Sequence, residues 1–393
     1  LLPIPAIKFI VSLINNVVPE PYMDEIFHIS QTRKYCNGDF SWNPMITTPP
    51  ALYLLSLPFF CNKERFFNSM LYSLAKKLFI ESKFETVLTS FTIITLPVLF
   101  QSTTLFYTDL LSLVSVFLAF SSKQTSATVF FAIALLTRQT NIVWVLFYLG
   151  VQGVTSFNFK KPFYSAFELL RKNILILVLI FSSVYYVIFY NDAKIVLGDH
   201  KAHKPVLHLP QLAYFMVFCT ASSVPIVIEN FSKTFSFIKR YWFTAIALNI
   251  AFLIAVHQFT YAHPYLLADN RHYTFYIWRK IIMRNQNMKY YLTPIYVYCT
   301  MFVLSMVKKI SVLIVLGAFV STALCIVPAG LLEFRYFIIP YILWRISFRT
   351  KNKITLIAEL LLTALINVFV IYMFLKKPFV WPSEPNQLQR FMW

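Results

Sequence analysis

Charged residues are scarce in this sequence. Only 13% of the 393 residues are Asp, Glu, Lys or Arg, whereas soluble domains carry about 25%. Acids are the rarest, with 16 Asp and Glu against 35 Lys and Arg. This shortage excludes an ordinary soluble globular protein. The chain has no soluble basic region, so nucleic acid is a poor partner for the excess positive charge.

Cysteine motifs are absent as well. The five cysteines show neither a Cys-x-x-Cys motif nor a Cys/His metal spacing; they are Cys36, Cys61, Cys219, Cys299 and Cys325. We therefore expect neither a disulfide framework nor a zinc site. No internal repeat or linker stands out, so residues 1–393 are expected to form a single membrane-embedded domain, without the two related halves of many transporters.

Long apolar runs fill the remainder. The sequence is 58% hydrophobic, with 41 Phe and a mean hydropathy of +0.63. At about 20 residues per span, an all-α polytopic membrane protein would cross the bilayer roughly ten to thirteen times. Residues 1–18 are interpreted as the end of a first span, since the apolar run 4–18 is short for a complete one, and no cleavable signal is recognised. Further spans are expected at about 49–61, 64–80, 86–107, 109–121, 127–151, 172–191, 210–230, 241–262, 288–307, 309–331, 335–348 and 354–375.

A polar segment at 19–48 interrupts these runs. Within it, Asp24, Glu25 and His28 form the tightest group of acidic and histidine residues in the chain. On a helix, Asp24 and His28 share a face, whereas Glu25 points about 100° away. We interpret 19–48 as a loop between spans that carries the chemistry.

Two interpretations of the acidic pair stay open. A carboxylate beside a membrane is costly to bury and is usually functional. Asp24 or Glu25 could then be a general base that takes a proton from a substrate hydroxyl. Alternatively, the charge only favours the start of a helix after Pro21 through the helix dipole.

Three other polar segments supply candidate binding residues. Residues 135–144 hold Arg138, Gln139 and Asn141, and the loop 191–211 holds Asp199 with His200, His203 and His208, whose spacing lacks a firm metal signature. In 257–280, Arg271 and His272 could bind a phosphate, although aromatic and basic residues are also typical of a membrane-interface belt. The candidates in this segment are His263, Asp269, Asn270, Arg271, His272 and Tyr273.

A shorter polar stretch at 331–340 adds Glu333 and Arg335. They are two apart and would diverge on a regular helix, although either could still meet the same cavity at a helix end.

Basic residues gather at the ends of the apolar runs, among them Lys63, Arg65, Lys160, Lys161 and Lys172. The positive-inside rule places most such residues in the cytosol. Segment 19–48 holds more acids than bases, so we expect it on the lumenal side. Anionic membrane lipid is an expected partner of the basic ends.

Seven stretches make the chain similar to a known family. They are PYMDEIFH at 21–28, NPMITT at 43–48, RQTNIVW at 138–144, GD at 198–199, TYAHPYLLADNRHYTFYIW at 260–278, LLEFRYFIIPY at 331–341 and QRFMW at 389–393. Through them the chain resembles the endoplasmic-reticulum α-1,2-glucosyltransferases that use dolichyl phosphate glucose to complete the lipid-linked oligosaccharide for asparagine-linked glycosylation. Two departures are Asn43, where Asp is expected, and Asp109, where some relatives carry Glu.

The resemblance implies a GT-C glycosyltransferase fold in the endoplasmic reticulum membrane, multi-pass, with the active site on a catalytic first lumenal loop. It implies Asp24 as the base, with Glu25 as neighbour and competitor. The implied donor is dolichyl phosphate glucose, and the implied acceptor is the diglucosylated dolichyl-diphosphate oligosaccharide. Arg138, Arg271, His272 or Arg335 would stabilise the departing phosphate.

The expected reaction needs no metal or other cofactor, because a singly phosphorylated donor carries little charge to offset. Two alternatives remain from the residues themselves. One is a non-enzymatic membrane protein such as a channel modulator or a transporter. The other is a mannosyltransferase that uses dolichyl phosphate mannose, since the two donors differ by one hydroxyl configuration.

Overall fold

Helices dominate the protein, as the apolar runs predict. The computed structural model describes residues 4–61, 63–79, 84–199 and 204–393. The helices up to residue 190 are α1 (Ile4–Val17), α2 (Glu25–Cys36), α3 (Ala51–Phe60), α4 (Glu64–Phe79), α5 (Phe84–Ile94), α6 (Pro97–Ser102), α7 (Thr108–Ser121), α8 (Gln124–Leu135), α9 (Ile142–Ser156), α10 (Pro162–Lys172) and α11 (Ile174–Tyr190).

The helices after residue 204 are α12 (Pro210–Ser222), α13 (Val224–Glu229), α14 (Phe231–Arg240), α15 (Trp242–Gln258), α16 (Pro264–Ala268), α17 (Tyr273–Ile277), α18 (Met288–Tyr291), α19 (Thr293–Met306), α20 (Val312–Ile326), α21 (Ile338–Ile346) and α22 (Lys353–Lys376). A short antiparallel hairpin follows, made of β1 (Phe379–Trp381) and β2 (Glu384–Gln389). Phe379 lies opposite Gln389 in this hairpin.

Several predicted spans are interrupted in the structure. The run 86–107 is divided between α5 and α6, and Pro97 begins α6, because proline fits the first turn of a helix but not its interior. The run 127–151 is divided by a 3₁₀ turn at Gln139–Asn141. The break in the second run contains two of the predicted site residues, Gln139 and Asn141.

One described helix, α22, is long and apolar enough to cross a membrane by itself. Two bent pairs of consecutive helices, α10 with α11 and α14 with α15, would each qualify as one broken span, with bends of 69° and 91°. The described helices thus give one to three spans by length and composition. The larger number of ten to thirteen stays a prediction.

The described residues pack as two compact units, and the single-domain organisation stays a prediction. The first unit takes the described parts of 1–78, 102–204 and 311–322. Helices α7, α8, α9 and α11 meet in its core through Ala119, Ala127, Phe131, Leu135, Val145 and Ile176. This core packs the C-terminal part of α7 against α8 and reaches the first turn of α9 through Val145.

The second unit takes the described parts of 79–101, 205–310 and 323–393. Phe218 lies between Phe337 and Tyr341, with ring centroids 5.5 and 5.6 Å away. Helices α21 and α22 are joined by a fully buried ion pair between Arg345 and Glu359, at 2.6 Å. The partner of each charge compensates for the loss of water around it.

A disulfide joins Cys36 at the end of α2 to Cys61 just after α3. The expectation of no disulfide from the cysteine pattern is therefore wrong. The two residues are 25 positions apart and belong to no recognisable spacing motif, so only the packing of α2 against α3 brings them together.

Candidate active site

The acidic group of the first loop lies at the N-terminal end of α2 in the first unit. Asp24 is the residue before the helix, and Glu25 begins it. Met23 has a left-handed backbone, with φ of 56°, which is unfavourable for a residue with an unbranched long side chain. Such strain is often held in place at functional sites.

Glu25 is fully buried and held from three directions. Its carboxylate accepts bonds from Arg65 at 2.7 and 2.9 Å, from the backbone N–H of Phe106 at 2.7 Å and from that of Tyr22 at 3.1 Å. Glu25 has no exposed surface in this arrangement, and its contact with a substrate stays a prediction. Glu25 therefore anchors α2.

Arg65 extends this anchor to the segment before α2. Its guanidinium donates to the carbonyl oxygens of Val18 at 2.6 Å and Glu20 at 3.1 Å, and to Asn15 Oδ1 at 2.9 Å. The sequence suggested only a basic residue at a span end, so this role was missed. Its sole signal is a charge at the start of an apolar helix, which does not identify the partner.

Asp24 and His28 lie on one face at the start of α2, as their spacing predicts, and the His28 N–H donates to the Asp24 carbonyl at 3.1 Å. Both are half-buried. His28 shares a 2.8 Å hydrogen bond between Nδ1 and the Tyr53 hydroxyl. Its ring also lies 6.2 Å from that of Tyr107. The arrangement places a carboxylate and an imidazole at one protein surface beside a tyrosine hydroxyl.

A second acidic and basic pair follows Tyr107 in the chain. Asp109 is buried at the start of α7, and its Oδ1 lies 2.9 Å from Arg138 Nη2. Arg138 also donates from Nε to the Thr108 hydroxyl at 2.9 Å. The candidate Arg138 is thus fixed by a carboxylate that the sequence did not identify as a site residue. Two signals pointed to Asp109: it is one of only six aspartates in the chain, and it stands where some relatives carry Glu.

Three predicted stretches meet around Thr47 in the first unit. The Thr47 carbonyl accepts from Gln139 Nε2 at 2.8 Å and from the Leu197 N–H at 3.3 Å. Next to it, the Asp199 N–H donates to the Pro44 carbonyl at 3.2 Å. The candidates Gln139 and Asp199 therefore help to build one loop cluster with residues 43–48.

Asn141 is buried and structural. Its amide donates to the Ser112 hydroxyl at 2.8 Å and to the Ala134 carbonyl at 2.7 Å. The amide joins α7 to the break before α9, and the expected role of Asn141 in binding a substrate stays a prediction. Of the histidines expected in the following loop, His200 and His203 lie outside the described residues.

In the second unit, Arg271 is the centre of a polar cluster. It forms a two-pronged ion pair with Asp269, at 2.7 and 2.8 Å, and donates to Gln389 Oε1 at 3.1 Å. Its guanidinium lies 4.6 Å from the ring centroid of Trp381, whose Nε1 donates to Asn270 Oδ1 at 2.6 Å. Burial raises the pKa of Asp269, but the bonds and charges of Arg271 and the neighbouring histidine outweigh it and leave that pKa below its usual value.

His272 and Tyr273 bind the C-terminal segment. His272 Nδ1 lies 3.2 Å from the carbonyl oxygen of Trp393, and the Tyr273 N–H donates to the Met392 carbonyl at 2.9 Å. The contact between 269–273 and 389–393 joins two stretches of the family pattern. Sequence reasoning treated them separately because 118 or more positions lie between the partners.

Glu333 and Arg335 form an ion pair at 2.8 Å. On a regular helix the two would diverge, but Glu333 is extended and a 3₁₀ turn begins only at Phe334, so the side chains meet. His263 precedes α16, and its Nδ1 accepts from the Tyr265 N–H at 3.1 Å. The second unit therefore brings a basic group and its acidic partner together twice, at 269–271 and at 333–335.

Within the part of the chain that the structure describes, no group of three or more His, Cys, Asp or Glu side chains is arranged to hold a metal ion. The polar residues of the two units instead share one pattern, in which a carboxylate fixes the position of an arginine. These pairs are Asp109 with Arg138, Asp269 with Arg271, and Glu333 with Arg335. Fixed guanidinium groups are well suited to binding phosphate.

The profile of the DIE2/ALG10 family matches residues 18–162 and 156–346 of this chain. The chain belongs to the DIE2/ALG10 family. The matched DIE2/ALG10 region begins before the first loop and includes all three acid–arginine pairs. The resemblance found from seven short stretches is thereby confirmed.

Curated relatives extend the similarity to nearly the full length. A Homo sapiens protein is 33% identical over 452 residues, which cover 97% of this chain and 95% of the relative. Rattus norvegicus and Arabidopsis thaliana proteins are 32% and 31% identical, with 97% of this chain and 95% and 96% of the relatives covered. All three are named Dol-P-Glc:Glc(2)Man(9)GlcNAc(2)-PP-Dol alpha-1,2-glucosyltransferase. No solved structure gives a significant match.

Proposed function

We propose that this protein transfers glucose from dolichyl phosphate glucose to the diglucosylated dolichyl-diphosphate oligosaccharide, forming the terminal α-1,2-linked third glucose. The observation that carries this proposal is the similarity, over 97% of the chain, to relatives named for that donor and acceptor. The names favour an enzyme over a channel modulator or transporter. They also favour glucose over mannose as the transferred sugar.

The proposed setting is the endoplasmic reticulum membrane, with a multi-pass GT-C fold of ten to thirteen spans and the active site facing the lumen. The disulfide between Cys36 and Cys61 at the end of α2 supports the lumenal side for the first loop, since disulfides persist in the oxidising lumen and are rare in the cytosol. The clear apolar span of α22 supports membrane insertion.

Asp24 is the proposed general base. The acceptor 2-hydroxyl attacks the anomeric carbon of the donor glucose, and its proton passes to the Asp24 carboxylate as the bond from that carbon to the phosphate oxygen breaks. Attack from the face opposite the phosphate inverts the β-linked donor to an α-linked product. The burial of Glu25 supports Asp24, because only Asp24 of the two retains surface for a substrate.

The departing phosphate needs a fixed positive charge, since negative charge grows on it as the bond breaks. Arg138, Arg271 and Arg335 are the proposed sources, with His272 as an additional donor. Each arginine is oriented by a carboxylate within 2.9 Å, which restricts its motion before the substrate arrives. We propose that no metal is required, because a dolichyl monophosphate leaves with less charge than a nucleotide diphosphate.

The test is glucose transfer by purified protein in detergent with EDTA, using dolichyl phosphate glucose and the diglucosylated acceptor. Wild type is compared with Asp24→Asn and with the control Asp39→Asn, an exposed aspartate of the same loop. We expect Asp24→Asn to lose about 10²–10⁴-fold in rate, the usual contribution of a general base, and Asp39→Asn to stay near wild type.

Dolichyl phosphate mannose is run in parallel. Transfer of mannose at a comparable rate would refute the donor assignment, and full activity of folded Asp24→Asn would refute the base. A requirement for added Mg²⁺ or Mn²⁺ after EDTA treatment would refute the metal-free reaction. No transfer from either donor by folded wild type would refute the enzymatic function.

A further inference from the structure

Helix α10 turns its apolar stripe away from the protein. Phe163, Ala166, Phe167 and Leu170 recur at the spacing of one helix face, and all four are exposed, Phe163 to 91%. Ser165, on the opposite face, is buried. A helix that packs on its own protein buries the apolar face, so α10 has the reverse orientation.

Basic residues flank this stripe at both ends. Lys160 and Lys161 precede α10, and Arg171 and Lys172 end it. All four are exposed, and the single acid of the helix, Glu168, lies 3.1 Å from Arg171. A helix with an exposed apolar face and basic ends fits the surface of a membrane that carries anionic lipid.

The chain bends sharply where α10 ends. Asn173 breaks the helix, and its side chain is held by Gln124 and Gln152. The apolar helix α11 then departs at 69°. If α11 crosses the bilayer, α10 lies close to the membrane plane rather than along the span.

The far end of α11 meets the first loop. The segment after α11 bonds to the loop through Leu197 to Thr47 and Asp199 to Pro44. That loop is tied to α2 by Gln31, which donates to the Ser41 carbonyl at 2.8 Å. The 17 residues of α11 extend about 25 Å. Helix α10 is therefore at the end of α11 opposite the candidate base.

We propose that α10 lies in the cytosolic membrane interface, with its aromatic stripe among the acyl chains and Lys160, Lys161, Arg171 and Lys172 on anionic phospholipid headgroups. The in-plane orientation follows from the stripe and the bend alone. The cytosolic side rests on the lumenal first loop proposed above.

Depth is measured on full-length protein in nanodiscs. A bimane label is attached at Ala166→Cys in the stripe and, as a control, at Phe40→Cys in the first loop, with Cys219, Cys299 and Cys325 replaced by alanine. We expect the label at 166 to be quenched by lipids spin-labelled near the headgroup and protected from iodide, and the label at 40 to show the reverse. Quenching mainly by deeply labelled lipids would overturn the in-plane proposal. Quenching by neither lipid nor iodide would also overturn it, because a protein partner would then cover the stripe.

To test the lipid preference of α10, quenching of the bimane label at position 166 is compared between phosphatidylserine and phosphatidylcholine that carry identical spin labels. We expect phosphatidylserine to quench on the order of twofold more strongly, and the difference to vanish when the four basic residues are changed to Gln. Equal quenching in the unchanged protein would overturn the headgroup assignment.

Sidedness is measured with a membrane-impermeant maleimide on sealed microsomes. We expect Lys160→Cys to react in intact vesicles and Phe40→Cys only after permeabilisation. Reaction of Lys160→Cys only after permeabilisation would overturn the cytosolic side. Reaction of Phe40→Cys in intact vesicles would instead contradict the lumenal active site. The in-plane orientation of α10 would be unaffected, because the depth measurement tests it separately.

Discussion

At the start of α2, two adjacent carboxylates have opposite environments. Glu25 is fully buried against Arg65, whereas Asp24 is half-buried at the surface. One step along a helix rotates a side chain by about 100°, which here separates the protein interior from the site. The two acids are therefore expected to respond differently to the same neutral substitution.

Replacing Arg65 by Met is expected to destabilise the protein strongly, because Glu25 would remain charged without a partner. Breaking a buried pair typically costs about 3–5 kcal/mol. The measurement is thermal unfolding in detergent. The double variant Glu25→Gln with Arg65→Met should regain part of the loss, and Glu20→Gln, an exposed acid of the same segment, should change little. Equal melting temperatures for wild type and Arg65→Met would exclude the anchor.

Gly198 is a residue where the structure tolerates no side chain. An added Cβ would overlap the carbonyl oxygens of Pro44 and Ile46, which belong to the first loop. We expect Gly198→Ala to reduce glucose transfer at least several-fold, because the loop contact must open. The matched control is Gly153→Ala in α9, where a Cβ meets nothing within 4 Å and alanine is the better helix former. Similar activity for both variants would show that this contact does not matter.

At the scale of elements, α2 depends on its connection to α3. The anchor of Glu25 holds one end of α2, and the disulfide from Cys36 to Cys61 holds the other. With both ends fixed, the helix presents Asp24 and His28 in one orientation. Loss of either connection should affect the candidate site even though neither group touches it.

Removing the disulfide by Cys36→Ser with Cys61→Ser is expected to lower stability by about 3 kcal/mol, since the cross-link restricts the unfolded chain. Reductant should lower the melting temperature and activity of wild type to those of the double variant. The double variant itself should not respond to reductant, which serves as the control. An alkylation assay that finds both thiols free in the native protein would contradict the pairing.

Whole-molecule stability should depend on pH through His208 in the second unit. Burial lowers the pKa of His208 to about 4, from an ordinary value of 6.5. Between these two values the unfolded state binds a proton that the folded state does not, so stability falls as the pH falls from 6.5 towards 4. The slope contributed by one such group is up to about 1.4 kcal/mol per pH unit.

The measurement compares melting temperatures at neutral pH and near pH 5 for wild type, His208→Gln and His257→Gln. His208→Gln should reduce the loss on acidification, whereas His257→Gln, an exposed histidine, should preserve it. An unchanged loss in a folded His208→Gln variant would assign the pH dependence to other groups.

Much of this protein was predictable from composition and short motifs. The scarcity of charge and the apolar runs indicated a helical membrane protein, because burial in lipid selects residue types regardless of their order. The spacing of Asp24, Glu25 and His28 predicted that the two acids face different ways, because helix periodicity is a local property. Seven stretches were enough to identify the family.

The partners of the charged groups depended on tertiary structure. Glu25 pairs with Arg65 across 40 positions, and Arg271 with Gln389 across 118. The disulfide and the Asp109–Arg138 pair were likewise unpredicted. Local patterns carry no information on which distant residue fills a given space, since packing selects that partner only after the helices have come together. For the same reason, periodicity revealed that Asp24 and Glu25 diverge, and only the packing showed which of them is buried.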